Sequence, residues 1–310
     1  MYGGLRCYSH HLLHSWCAAA VEERGHLYGR MGRITIARRC GSNMRNGSNS
    51  EPSVGESETI LKRRMSSPEL VRREYADLRL NDNIVSEVGH VRIRQHVNPL
   101  SSSFMVPSQV PDWKEVYRDT TLPLMVDIGC GSGRFLLWLA KSSTDAKNYL
   151  GLEIRHKLVQ RAQSWVEELA LKNIHFMFAN ANVSFEQLVF TYPGPLVLVS
   201  ILCPDPYFKQ RHHKRRVVQK PLVLSISRNL HPGGHVFLQS DVLDVAIDMR
   251  DQFDALADVF EHVNNYLELD VPCDKEGWLL SNPLGIRTER EIHAESEGSQ
   301  IYRRMYQKRA

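Results

Sequence analysis

Three things are scarce in this chain, and each scarcity excludes a class. Its six cysteines, at positions 7, 17, 40, 130, 203 and 273, form no C-x-x-C pair. That removes the common structural zinc spacings and a disulfide framework, and it points to a reducing compartment with no bound metal. No apolar run approaches the ~20 residues needed to span a membrane as a helix. Acidic residues are nearly missing from the first 50 positions, where only Glu22 and Glu23 stand against Arg6, Arg24, Arg30, Arg33, Arg38, Arg39 and Arg45. The net charge of +4 over 310 residues is mild, so local charge distribution carries more information than the total.

The N-terminal third divides by composition. Residues 41–59, GSNMRNGSNSEPSVGESET, are polar and rich in Gly, Ser and Asn; they cannot bury a core, and disorder is expected. An Arg-rich, acid-poor start followed by a Ser-rich stretch makes residues 1–60 resemble an organellar transit segment, for plastid or mitochondrion. An ordinary extension on a cytoplasmic or nuclear protein is the alternative. Residues 61–120 form a basic extension. Within it, a short helix is expected after Ser67, with Pro68 in its first turn, and VRIRQHVNPL (91–100) is expected to lie as an arm over the main domain.

Residues 121–310 alternate regularly. LPLMVDIG (122–129), NYLGLEI (148–154), IHFMFAN (174–180), PLVLVSIL (195–202) and HVFLQSD (235–241) read as strands separated by helical segments. In HKLVQRAQSWVEELALKN, Leu158, Ala162, Trp165, Val166 and Leu169 follow one face of a 3.6-residue period. Ser184 and Gln187 are spaced as a capping box opening the next helix. Such alternation predicts an α/β domain with a doubly wound, mostly parallel sheet.

The turn VDIGCGSG follows the first strand and opens a helix, with glycines at 129, 131 and 133. A dinucleotide fingerprint would need a further glycine at 134, which is Arg134. Glu153 ends the second strand, where a carboxylate can accept both hydroxyls of an adenosine ribose. Asn180 and Ala181 end the third, within reach of an adenine edge. Asp127 ends the first and could face a methionyl ammonium. Read together these indicate S-adenosylmethionine. NAD is the alternative, because a strand-end glutamate suits its ribose too.

The fourth strand runs into CPDPYFKQRHHKRR. Pro204 and Pro206 fix φ on either side of Asp205, and ligands of open α/β sheets bind at the carboxyl ends of the strands. Asp205 is therefore the candidate catalytic residue, a rigid acceptor for a base edge such as guanine N1–H and N2–H2. Tyr207 and Phe208 are expected to pack the pocket wall. Arg211, Lys214, Arg215 and Arg216 are expected to meet an RNA backbone, with a solvated face as the alternative reading. His212 and His213 are adjacent and diverge on a helix, so they are not a metal pair. Asp241 ends the fifth strand. Thr288, Glu289, Arg290 and Glu291 form a helix start with capping-box spacing.

In this order the segments DIGCGSG, GLEIR, CPDPYFK, RHHKRR, QSD and TERE resemble the tRNA (guanine-N7-)-methyltransferase family of the bacterial TrmB type, over residues ~90–310. The PDP-aromatic-x-K block is the most specific part. The resemblance implies a seven-stranded, Rossmann-like class I methyltransferase that transfers a methyl group from S-adenosylmethionine to N7 of guanine 46 in the tRNA variable loop. It implies cofactor contacts at Gly129, Glu153, Ile154, Asn180, Ala181 and Leu202, with Asp127 and Gly131 nearby. Asp205 matches the active-site aspartate, and Lys209, Asp241, Thr288, Glu289, Arg290 and Glu291 match substrate-binding positions. Relatives often carry an acidic residue near 180–182, and this chain has none. Bacterial members act alone and eukaryotic cytosolic ones with a β-propeller partner; the transit-like N-terminus favours the lone form. The rival readings are an amino-methyltransferase, whose fourth-strand motif is (D/N)-P-P-aromatic, and a non-catalytic RNA-binding subunit.

Overall fold

The computed structural model describes residues 65–80, 97–144, 146–266 and 269–310, all within one unit, Met65–Ala310. The transit-like segment 1–60 lies outside the described residues, and of the arm only residues 97–100 are described.

Strands β1 (Leu124–Ile128), β2 (Asn148–Glu153), β3 (Ile174–Phe178), β4 (Leu196–Leu202) and β5 (Leu230–Ser240) run parallel. With β6 (Phe260–Val263) and β9 (Tyr302–Lys308) they form a seven-stranded sheet of order β3-β2-β1-β4-β5-β9-β6, in which β9 is antiparallel to both neighbours. A separate two-stranded ladder joins β7 (Asn265–Tyr266) to β8 (Leu269–Asp270). The helices are α1 (Ser67–Glu74), α2 (Trp113–Val116), α3 (Arg134–Ser142), α4 (His156–Glu168), α5 (Ala181–Thr191), α6 (Lys220–Asn229), α7 (Leu243–Asp254) and α8 (Glu289–Ser296).

Strands β1 and β2 are buried along their whole length, as a parallel sheet covered on both faces requires. Alternate residues feed opposite layers. Leu124, Val126 and Ile128 join Phe185, Leu188, Leu222, Val223 and Met249 on the α5–α6–α7 side. Met125 and Tyr149 join Leu136, Leu137 and Trp165 on the α3–α4 side. The doubly wound expectation therefore holds at the level of individual side chains. The start of α5 differs from the sequence reading. Asn180 is its N-cap, accepting from the Asn182 N–H, while Ser184 lies one turn inside and accepts from the Ser108 N–H at 3.0 Å. The better acceptor for the helix start stood four residues earlier, directly after β3.

Candidate active site

The carboxyl ends of β1, β2 and β4 meet at one cavity, which Gly129, Glu153, Ile154, Asn180, Ala181, Asp205 and Arg215 all line. Each glycine of the turn has positive φ, at +80° for Gly129, +58° for Gly131 and +84° for Gly133. Two of them have different tasks. A Cβ at Gly133 would meet Ala162 and Phe176 at 2.9 Å, so this position exists to let α3 pack on α4 and β3. A Cβ at Gly129 would meet nothing within 4 Å, leaving bare backbone open toward the cavity.

Glu153 is 2% exposed. Its Oε2 accepts from the Gly131 N–H at 3.0 Å, and the Arg155 guanidinium closes on both oxygens at 2.9 and 3.0 Å. A buried carboxylate aimed into the cavity, beside an open glycine turn, fits the ribose and methionyl portions of S-adenosylmethionine. Arg155 is a site residue the sequence reading missed. The cation two residues beyond a strand-end carboxylate was its signal.

Asn180 was expected at the adenine edge. Its amide instead donates to the Pro99 and Phe104 carbonyls at 3.0 and 3.1 Å, holding the arm over the cavity while its carbonyl caps α5. Both side-chain groups are thus engaged, and Asn180 and Ala181 both line the cavity. Tyr207 holds the same arm from the other side through its hydroxyl on the Val97 carbonyl. Leu202 is half-buried and packs with the α3–α4 layer.

Asp205 sits in a backbone made rigid by more than its prolines. Cys203 and Tyr207 adopt φ of +49° and +43°, a region that costs a non-glycine residue about 1–2 kcal/mol. The Cys203 N–H is tied to the Gln239 carbonyl of β5 at 2.7 Å. The carboxylate is therefore held between two left-handed residues and two prolines. Tyr207 lines the cavity as expected, but Phe208 is 74% exposed, because the reversal at Tyr207 turns it outward.

The basic run divides in two. Lys209, Arg211 and Lys214 are exposed, and Arg215 turns toward the cavity. Arg216 corrects the sequence reading. It is 4% exposed and donates to the Pro206 carbonyl at 3.0 Å and to Asp248 at 3.2 Å, with a further ion pair to Asp244. It braces the aspartate loop from α7 and offers no surface to RNA.

A second group of expected residues lies beside the cavity. Thr288 and Glu291 form the capping box in both directions, at 3.1 and 3.2 Å. Arg290 pairs with Asp241, with Nε at 3.1 Å. Glu289 bonds Ser132 of the glycine turn and Arg134. Glu291 is the second correction. It is fully buried, and its carboxylate is taken up by Arg303, Gln239 and Asn282. It therefore positions the α8 start and has no free face for a substrate.

Asp127 is buried behind the cavity wall, where the Ser200 hydroxyl donates to it at 2.7 Å. Burial pushes its carboxyl up to about 7; the Ser200 bond opposes this and the Glu153 charge adds to it. The folded value thus exceeds the unfolded value of about 3.9. The fold binds this proton more tightly than the unfolded chain does, so stability is lost as pH rises from about 4 to about 7. Asp127→Asn is expected to remove that loss. Its stability gain over wild type, measured by thermal or urea unfolding without ligand, should grow by on the order of 2 kcal/mol between pH 5 and pH 8. A pH-independent difference would mean that Asp127 does not titrate there.

Among the described residues no group of three or more His, Cys, Asp or Glu stands where it could hold a metal ion, and no helix is long and apolar enough to cross a membrane.

A family model described as "Putative methyltransferase" matches residues 121–304. Over 218 residues the chain is 48% identical to the tRNA (guanine-N(7)-)-methyltransferase of Synechococcus sp. (strain JA-3-3Ab), covering 70% of this chain and 86% of that one. Over 221 residues it is 47% identical to the protein of the same name from Synechocystis sp. (strain ATCC 27184 / PCC 6803 / Kazusa), covering 71% of this chain and 99% of that one. Identity at this level across nearly the whole of a relative places the chain in the tRNA (guanine-N(7)-)-methyltransferase family, a family of S-adenosylmethionine-dependent enzymes.

Proposed function

We propose that the protein methylates N7 of guanine 46 in the variable loop of tRNA, and that it does so without a second subunit. The observation that carries this reading is the single cavity lined by both Glu153 and Asp205, with exposed Lys209, Arg211 and Lys214 just beyond it. Gly129, Glu153, Ile154 and Ala181 would hold S-adenosylmethionine, which supplies an electrophilic sulfonium methyl that guanine N7 can take up without losing a proton. No general base is then needed. The work left to the chain is orientation, which can supply ~7–11 kcal/mol of the barrier, and stabilisation of positive charge developing on the base. Asp205 serves both ends, by accepting from the guanine N–H edge and by its charge. Arg215, turned toward the cavity, suits the phosphate of the nucleotide that enters it, and the three exposed cations suit the flanking backbone.

The test is purified protein, unmodified tRNA and S-adenosylmethionine, followed by digestion and mass spectrometry of nucleosides. 7-Methylguanosine at position 46 is the expected product. A product methylated on an exocyclic amine, or no product until another subunit is added, would overturn the reading.

For location, the Arg-rich, acid-poor first 50 residues followed by a Ser-rich stretch favour import into an organelle, plastid or mitochondrion. A fluorescent fusion of the full chain that stays in the cytosol would dismiss this.

A further inference from the structure

Helix α1 precedes the segment matched by the family model, yet it is built firmly into the domain. A capping box between Ser66 and Glu69 opens it, with Pro68 in the first turn. Tyr75 and Leu78 are buried, at 4% and 0% exposure. The Tyr75 hydroxyl donates to the Arg287 carbonyl, and Glu74 receives the Arg287 guanidinium at 3.2 and 2.6 Å. Lys141 of α3 caps the turn that follows, on the Asp77 carbonyl at 2.9 Å. The helix is thereby fixed against α8 and α3, the two helices whose first turns border the active site.

Between α1 and those helices runs a groove of about 640 Å³. Among the described residues its charged lining is Arg72, Arg79, Arg134 and Glu289, with His293 beside them. The carboxylate among these described residues, Glu289, is already paired with Arg134 at 2.8 Å. Among the other acidic groups of this segment, Glu69 is used in the capping box and Glu74 by Arg287; Asp77 lies on the turn held by Lys141. Arg72 and Arg79 are exposed, and among the described residues neither forms an ion pair. The described lining is therefore net positive, with Arg72 and Arg79 exposed on it. At one end Glu289 accepts from the Arg134 guanidinium and from the Ser132 hydroxyl of the glycine turn, so the groove opens beside the methyl-transfer site.

We propose that this groove, through Arg72 and Arg79, takes the phosphate backbone of the tRNA substrate and extends the contact surface to the flank opposite the Lys209–Arg211–Lys214 run. The proposal rests on the functional reading above for the identity of the RNA. Two exposed guanidinium groups, Arg72 and Arg79, with no ion-pair partner among the described residues fit a polyanion strand, and each phosphate neutralised releases counterions.

The test is tRNA binding as a function of NaCl concentration for wild type, Arg72→Gln/Arg79→Gln and Arg72→Lys/Arg79→Lys, with Arg118→Gln/Lys172→Gln as control. Arg118 and Lys172 are exposed near the amino-terminal end of β3, away from the strand ends that carry the site. The glutamine pair is expected to weaken binding at low salt and to reduce the slope of log K against log[NaCl] by about 1.4–1.8, two contacts at ~0.7–0.9 each. The lysine pair should restore the slope, the control should keep it, and affinity for S-adenosylmethionine should not move. An unchanged slope in the glutamine pair overturns the proposal. If its melting temperature falls at the same time, the groove serves the chain's own fold. Because binding needs no turnover, a wild-type protein that binds tRNA but makes no 7-methylguanosine would sink the functional reading while the slopes still judge the groove.

Discussion

Asp205→Ala is expected to lower methyl transfer to tRNA roughly 100- to 1,000-fold, the scale for removing one preorganised electrostatic partner from a reacting centre. S-adenosylmethionine binding should stay within a few-fold of wild type. The split follows from geometry. Asp205 follows β4 and Glu153 ends β2, with β1 between them, so on the proposed reading the two ligands are gripped from different strands. Asp205→Asn sharpens the result. It keeps size and one acceptor but loses the charge that steadies a cationic product, so activity well below wild type in that variant assigns the effect to charge. Titration calorimetry for the cofactor and single-turnover kinetics for the methyl group measure the two halves. Normal turnover in Asp205→Ala would remove the residue from the mechanism.

Arg216→Lys should also lower the rate, for a different reason. The guanidinium meets Pro206, Asp248, Asp244 and His213 at once, and a lysine can supply the charge but not the fork. With the Pro206 carbonyl released, the loop bearing Asp205 gains freedom, and a tenfold or larger fall in kcat is expected, with cofactor affinity unchanged. The stability cost should be modest, about 1–3 kcal/mol for the buried hydrogen bonds, because Asp244 is 65% exposed and can turn to water. The salt slope of tRNA binding should also stay the same. A slope lower by ~0.7–0.9 would return Arg216 to the RNA backbone.

These two residues differ in how much of their placement could be read from the sequence. Asp205, Glu153 and the glycine turn were legible because each follows a short apolar run that can only be a buried parallel strand, and position at a strand end carries functional meaning. Arg216 was legible as a charge but not as a direction. The carboxylates that neutralise it lie 28 and 32 residues further on, and only the packing of α7 brings them near. Strand β9 was missed for a related reason. Its sequence, YRRMYQK, looks like surface, yet Arg303 is 6% exposed and points inward to Glu291. The same inward pair explains why Glu291 could be recognised as a capping residue and still be misplaced at the substrate. Phe208 was misjudged because nothing local announces that Tyr207 adopts a left-handed backbone.

The loop of residues 203–207 has one more consequence. Its shape is not the one these residues would choose alone, since Cys203 and Tyr207 both sit in strained backbone. It is imposed by three outside attachments: β5 through Gln239, α7 through Arg216, and the arm through Val97. The shape of this loop is therefore a property of the assembled fold and cannot outlast its weakest tether. The described part of the arm, residues 97–100, is half-buried or exposed, and such parts open locally at a fraction of the global unfolding free energy. Heat would thus silence this enzyme from the periphery inward, with the sheet still intact after the aspartate has lost its bearing.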